Sequence, residues 1–126
     1  MNIKDIQHIN LFTRAAELIK DRIMLGEYQV DERIPSVREF SAELEVNPNT
    51  VVRAFERLSM AGIIYSKRGM GFYVSSQAAE LIAAERKKAF VEEILPAIFG
   101  EMKQLGIGME EVIKLHQQLE AKAGEQ

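Results

Sequence analysis

Two runs decide the fold: Ile34-Pro35-Ser36-Val37-Arg38-Glu39-Phe40 and, just downstream, Val46-Asn47-Pro48-Asn49-Thr50-Val51-Val52-Arg53-Ala54-Phe55. In the first, Pro35 restrains the approach, and Ser36 and Glu39 stand at the S-x-x-E spacing of a capping box. Val37, Phe40, Ala42 and Leu44 give an apolar side to a helix of about nine residues, too short to persist unless packed. In the second, Asn47 caps a further helix and Pro48 takes its first position, where the missing donor would be unpaired anyway. Val51, Ala54, Phe55 and Leu58 form its buried stripe, Met60 extends that stripe, and Gly62 stops it.

Upstream, Leu11, Ala15, Leu18, Ile19, Ile23 and Met24 recur at helical spacing, with Asn10 as N-cap and Gly26 as terminator. Glu27 to Ile34 reads as an irregular connection. Downstream, Ile63 to Ser66 and Phe72 to Ser75 read as two strands around the tip Lys67-Arg68-Gly69-Met70-Gly71. Helix, short helix, tight turn, helix and hairpin within roughly 65 residues is the winged helix-turn-helix plan. The expected fold is therefore mainly α with a small β-hairpin wing, residues 1–75 forming the DNA-binding domain.

Past Ser76 the character changes. Gln77 to Leu105 is a long helical pattern, with Leu81, Ile82, Ala89, Phe90, Ile94, Ile98, Met102 and Leu105 on one broad face. Pro96 should kink or interrupt it, since proline removes a helical donor and clashes with the preceding turn. Gly106 and Gly108 break it, and a last amphipathic helix from about Met109 to Lys122 carries Val112, Ile113, Leu115 and Leu119. Two such helices have nothing to bury against within one chain, so residues 76–126 read as a dimerisation tail through Phe90, Ile94, Ile98, Met102, Leu105, Val112, Leu115 and Leu119.

Composition narrows the function. The 126 residues hold no cysteine, which removes disulfides, thiolate catalysis and thiolate metal sites. His8 and His116 are far apart and lack a ligand cluster, so no metal and no cofactor are expected. No apolar run reaches a membrane span and no signal peptide is visible, which points to the cytoplasm. The net charge of -3 is at odds with binding duplex DNA, where phosphates must be neutralised. Its distribution matters more: Arg33 to Ser75 holds 6 Lys/Arg against 4 Asp/Glu, whereas the flanks are both acidic.

The third helix should enter the major groove with Asn49, Thr50 and Arg53 toward base edges and phosphates. The plainer alternative makes Asn47 and Thr50 caps and Arg53 an ordinary surface charge. Arg38, in the first turn of the second helix, suits a phosphate, unless Glu39 or Glu43 pairs with it. Lys67, Arg68 and Gly69 at the wing tip suit a phosphate clamp or a minor groove, although hairpin tips are also charged for solubility alone. Arg57, one turn beyond Arg53, ranks below these.

With Gly62-Ile63-Ile64 and Arg68-Gly69-Met70-Gly71-Phe72-Tyr73-Val74 added to the two opening runs, Leu11 to Ser75 resembles the GntR family of bacterial regulators. The Asn-Pro-Asn-Thr-Val-x-Arg-Ala wording and the short helical tail resemble its YtrA-like branch. The resemblance implies a homodimeric repressor of a transporter-type operon, with DNA contacts by Arg38, Asn49, Thr50 and the wing around Arg68 and Gly69. Val52 stands where most of the family has arginine and Arg53 follows it; Phe72 replaces the commoner threonine. Val30-Asp31 replaces the usual Pro-Gly, a change expected only to loosen a turn.

The expected partners are double-stranded DNA, as an inverted-repeat operator with half-sites ~34 Å apart, and a second copy of the chain. Two other classes compete. An enzyme, by analogy with a related branch that carries an aminotransferase-like domain, lacks the residues for one. An architectural or protein-interaction module would lack the polar recognition face formed by Asn49, Thr50 and Arg53. A small-molecule effector between the tail helices, lined by Phe90, Met102 and Met109, stays open, but such a stripe is more often core.

Overall fold

A computed structural model describes residues 11–124. Asn10, read as an N-cap, and His8 lie outside them, as does the side chain of Leu11. Helix α1 (Leu11–Met24) buries Ala15, Ala16, Ile19 and Ile23, and leaves Leu18 half-buried. Met24, expected on the buried stripe, is exposed, because five residues carry it some 140° round the helix from Ile19.

Helix α2 (Val37–Leu44) starts with both halves of its capping box formed: the Glu39 N–H donates to Ser36 Oγ at 3.1 Å and the Ser36 N–H donates to Glu39 Oε1 at 3.2 Å. Its buried residues are Phe40 and Ser41, not Ala42, which is exposed. At about 100° per residue Ala42 lies nearly opposite Phe40, and the buried Ser41 hydroxyl is satisfied by donating to the Val37 carbonyl at 2.6 Å. Glu45 ends the helix in the left-handed region at φ 55°, which lets the Val46 N–H reach the Ser41 carbonyl.

Helix α3 (Pro48–Met60) follows, capped by Asn47 Oδ1 accepting from the Asn49 N–H at 2.8 Å. Val51, Ala54, Phe55 and Leu58 are buried as expected. Met60 is 90% exposed and does not join them, because two residues carry it some 200° round from Leu58.

Strands β1 (Ile64–Lys67) and β2 (Gly71–Val74) pair antiparallel, Ile64 opposite Val74 and Lys67 opposite Gly71. The hairpin is one residue out of step with the sequence expectation: Lys67 closes β1 and the tip is Arg68 to Met70. The stretch read as irregular also joins the sheet. Arg33 bridges Tyr73, the Ile34 N–H donates to the Phe72 carbonyl at 2.9 Å, and the Val74 N–H donates to the Glu32 carbonyl at 3.1 Å.

Helix α4 (Ala78–Ala89) places Ala78 and Ile82 in the core formed by α1, α2, α3 and the hairpin, with Leu81 packed against it. The compact unit that carries the winged helix therefore runs to Lys88, beyond the boundary at residue 75, and a second unit begins at Ala89. An ion-pair cluster ties α4 to α1. Lys20, only 3% exposed, donates to Glu17 at 3.1 Å and to Glu85 at 2.5 Å, while Arg86 reaches Glu17 at 2.9 Å and Asp21 at 2.7 Å.

In the second unit, a π-helical turn (Phe90–Ile94) leads into α5 (Leu95–Leu105), with the Leu95 N–H donating to the Phe90 carbonyl. This is the interruption expected from Pro96, which sits in the first turn of α5: the wider turn removes the demand for its missing N–H. Gly106 caps α5 at φ 71°, and α6 (Met109–Gly124) follows. No residue of α5 or α6 is buried.

Burial by itself would raise the Glu17 carboxyl, but hydrogen bonds and charge from Arg86 and Lys20 outweigh it and hold it below its ordinary value. A depressed folded-state value gives stability that is present above the unfolded value, about 4.3, and lost as pH falls through the folded one. The thermal midpoint should hold steady down to about pH 5 and fall below it, and Glu17→Gln should flatten that acid limb while lowering the midpoint at pH 7. An acid limb identical in Glu17→Gln would show that this cluster is not what titrates.

Candidate nucleic-acid interface

The outer side of α3 is set by what its inner side buries. With Val51, Ala54, Phe55 and Leu58 inward, Asn49 and Arg53 project on the opposite side, about 40° apart, both exposed. Thr50 lies on the flank, half-buried. The same outer side carries Glu56 and Met60 further along, so its polar, non-acidic part is confined to the first two turns.

Arg38 is exposed in the first turn of α2. Both carboxylates that might have claimed it are committed elsewhere. Glu39 receives the Ser36 N–H, an interaction that lowers its pKa, and Glu43 pairs with Arg22, which lowers its own. Among the described residues Arg38 makes no hydrogen bond or ion pair. Arg22 is a hub that sequence reasoning missed. It donates to the Tyr28 hydroxyl at 2.7 Å and to Glu43, and its guanidinium lies 5.6 Å from the Phe40 ring centroid. Those hydrogen bonds push its pKa further up.

At the wing, Lys67 Nζ sits 4.4 Å from the ring centroid of Tyr73, which in turn stacks on Tyr65. Lys67 is thus held along the ribbon, while Arg68 at the tip has no hydrogen bond or ion pair among the described residues. Gly69 is the third residue of a four-residue turn, at φ 73°, closed by the Met70 N–H donating to the Lys67 carbonyl at 2.9 Å. Phe72 packs against Phe55 edge to face at 5.0 Å, so a core contact occupies the position where the family more often has threonine.

The connection before α2 is firmer than expected. Asp31 adopts the left-handed φ of 63° that glycine serves elsewhere, its N–H donates to the Val74 carbonyl at 2.8 Å, and its carboxylate accepts from the Tyr65 hydroxyl at 2.7 Å. The Tyr65 phenol is raised by that bond. Replacing Pro-Gly by Val30-Asp31 therefore adds a tie to the wing rather than loosening a turn. An Asx side chain is what makes the conformation tolerable; its cue in the sequence is Asp next to a β-branched residue where a turn is required.

In the tail unit, Ile94, Ile98, Met102 and Val112 are half-buried, whereas Phe90, Leu105, Leu115 and Leu119 are exposed, as are Phe99, Met109 and Ile113. An open hollow of about 560 Å³ is lined by Phe99, Met102, Lys103, Ile107 and Met109; Phe90 does not line it. His116 is exposed beside Glu120, at 3.7 Å. Among the described residues no cluster of His, Cys, Asp and Glu could hold a metal ion, and no helix is long and apolar enough to cross a membrane.

Three helices with a short first element in the turn, a polar N-terminal face on the third and a hairpin beside it define a winged helix-turn-helix DNA-binding protein. Residues 11–74 match the bacterial regulatory proteins of the gntR family. The chain belongs to the GntR family. It is 30% identical over 107 residues to the HTH-type transcriptional repressor YtrA of Bacillus subtilis, covering 85% of this chain and 79% of that one. A GntR-family transcriptional regulator from Bacteroides thetaiotaomicron is similar in structure, with TM-score 0.78 and 38% identity over 90% of this chain and 99% of that one. The DNA-binding domain of AraR, solved in complex with operator ORX1, superposes with TM-score 0.52 and 26% identity over 54% of this chain and 82% of that one. The protein is thus a DNA-binding transcription regulator, and its family and relatives are regulators rather than enzymes.

Asp31→Gly should be close to neutral in stability, since relief at positive φ offsets the lost Tyr65 hydrogen bond. Asp31→Ala, which keeps the strain and loses the bond, should cost about 1–2 kcal/mol. Urea unfolding of the two variants checks this, and equal effects would remove the left-handed position as the cause.

Proposed function

We propose that the protein acts as a homodimeric, sequence-specific repressor that reads an inverted-repeat operator, each α3 entering a major groove. The observation that carries this is the division of labour on the surface. Asn49 and Arg53 share the outer side of α3, where amide and guanidinium groups suit adenine and guanine edges, with Thr50 on its flank. Arg38 and the tip residues Arg68 and Gly69, with Lys67 just behind, stand on other elements and suit the phosphates on either side. Repression and a transporter-type operon are read from the YtrA-like wording of α3 and from the likeness to repressors; operator binding is supported by what is solved for AraR.

The dimer reading rests on the tail. Helix α6 is 16 residues long, yet only Val112 is even half-buried, and Ile113, Leu115 and Leu119 each show more than half their surface. An amphipathic helix without a packing partner is marginal in water, and a continuous apolar face of this kind suits a second copy. Its cover is supplied by Phe90, Ile94, Ile98, Met102 and Leu105 together with the face of α6.

Selection of sites from random duplex DNA at fixed salt should yield a two-fold symmetric sequence. Asn49→Ala with Arg53→Ala should abolish the enrichment, whereas Arg38→Ala should weaken binding to all sequences alike and lower the salt slope by about one. Enrichment of no site by the native protein would favour an architectural module. Phe90→Glu with Ile94→Glu should sediment as a monomer; a persistent dimer would place the interface elsewhere.

A further inference from the structure

We propose that Arg33 is a positioning residue that braces the wing tip against α2, fixing the separation of Arg68 and Arg38 so that both meet phosphates of one DNA backbone; the inference rests on the DNA-facing reading of those two arginines. Arg33 is attached to the wing at both levels. Its backbone bridges Tyr73, between the Ile34-to-Phe72 and Val74-to-Glu32 hydrogen bonds, at the base of the ribbon. Its Nε–H donates to the Met70 carbonyl at 3.1 Å, at the tip, across 37 positions of sequence. The Tyr73 hydroxyl donates to the same carbonyl at 3.3 Å.

The guanidinium also occupies the space beside Gly71. A Cβ there would come within 2.9 Å of Arg33 Nε, 3.6 Å of Nη2 and 3.7 Å of Cζ, and the backbone stands at φ 95°. Glycine suits the position by conformation, and any side chain there would displace the Arg33 guanidinium. At its other end Arg33 Nη2 stands 4.0 Å from Glu39 Oε1. That carboxylate closes the capping box of α2 and neighbours Arg38 in sequence. One side chain thus bonds the turn that presents Arg68 and stands at long ion-pair distance from the cap beside Arg38.

Without it the tip would hang on its own turn bond and on Tyr73, and a two-stranded ribbon is only marginally stable alone. A tip free to swing would make each phosphate contact at the cost of ordering it. Arg33 is half-exposed, so the competing possibility is that it touches DNA itself. The two differ in how Arg33 and Arg68 couple.

The test is a double-mutant cycle in the full chain, read as affinity for a random-sequence duplex of about 30 base pairs at several salt concentrations. Arg68→Ala should weaken binding and lower the salt slope by about one. Arg33→Ala should weaken binding by roughly three- to tenfold in the native background but by less than about twofold once Arg68 is alanine. Gly71→Ala should reproduce the Arg33→Ala effect, and in both variants the amides of Gly69 and Met70 should show faster picosecond-to-nanosecond motion in ¹⁵N relaxation. Where Arg33→Ala does not fold, Arg33→Lys, which keeps the charge but loses the planar Nε donor, carries the same cycle. Additive effects, with a further unit of salt slope lost to Arg33, would overturn the brace and make Arg33 a phosphate contact. Native affinity for Arg33→Ala would overturn it as well. Native affinity for Arg68→Ala would instead sink the reading of the wing on which the proposal rests.

Discussion

Phe55 of α3 is held between Phe40 of α2 and Phe72 of β2, edge to face at 5.8 and 5.0 Å, and Tyr28 extends the chain on the far side of Phe40 at 6.3 Å. Each such pair contributes about 1 kcal/mol beyond the area it buries. The geometric consequence is larger. These rings fix α3 in rotation as well as in place, because a helix with Phe55 turned inward must turn Asn49 and Arg53 outward. Neither α2 nor the hairpin is long enough to hold that position alone, so the recognition face, the wing and the cap of α2 all depend on one shared packing centre.

Around that centre the charges do two different jobs. Arg22, Lys20 and Arg86 are consumed internally, each by more than one partner, and they draw in Glu17, Asp21, Glu43 and Glu85. Acidic residues of α1, α2 and α4 that would repel a phosphate backbone are thereby paired within the chain. Arg38 and Arg68, both exposed, are left out of these pairs. In a protein with a net charge of -3, this sorting keeps the internal carboxylates away from those two arginines. Lys20 shows the cost of that sorting: a nearly buried ammonium is tolerable only with two carboxylates in reach.

The tail follows a different logic. In α1 to α4, every apolar stripe finds a partner within the chain, and the core closes with Ala78 and Ile82. From Phe90 onward the stripes remain open. The π turn placed before Pro96 keeps the helical course going through a residue that would otherwise end it. That continuity leaves an extended apolar surface, which a second copy would cover.

Local signals in the chain determined most of the architecture: the Ser36–Glu39 box, Asn47-Pro48, the stripe through Val51, Ala54, Phe55 and Leu58, and the glycines of the wing each specify a backbone state with their immediate neighbours. Helical period and capping act over four residues, so they can be read without knowing the fold. The candidates Arg38, Asn49, Arg53 and Arg68 were legible for the same reason, since a surface position on a known element follows from the buried ones. Only the tertiary structure decided that Arg33 reaches the wing tip, that Lys20 is buried against Glu85, that Asp31 ties to Tyr65, and that α4 belongs with the winged helix rather than the tail. Those pairings join residues 34 to 65 positions apart. No periodicity records them, because what makes each favourable is a partner brought near by the packing of Phe40, Phe55 and Phe72.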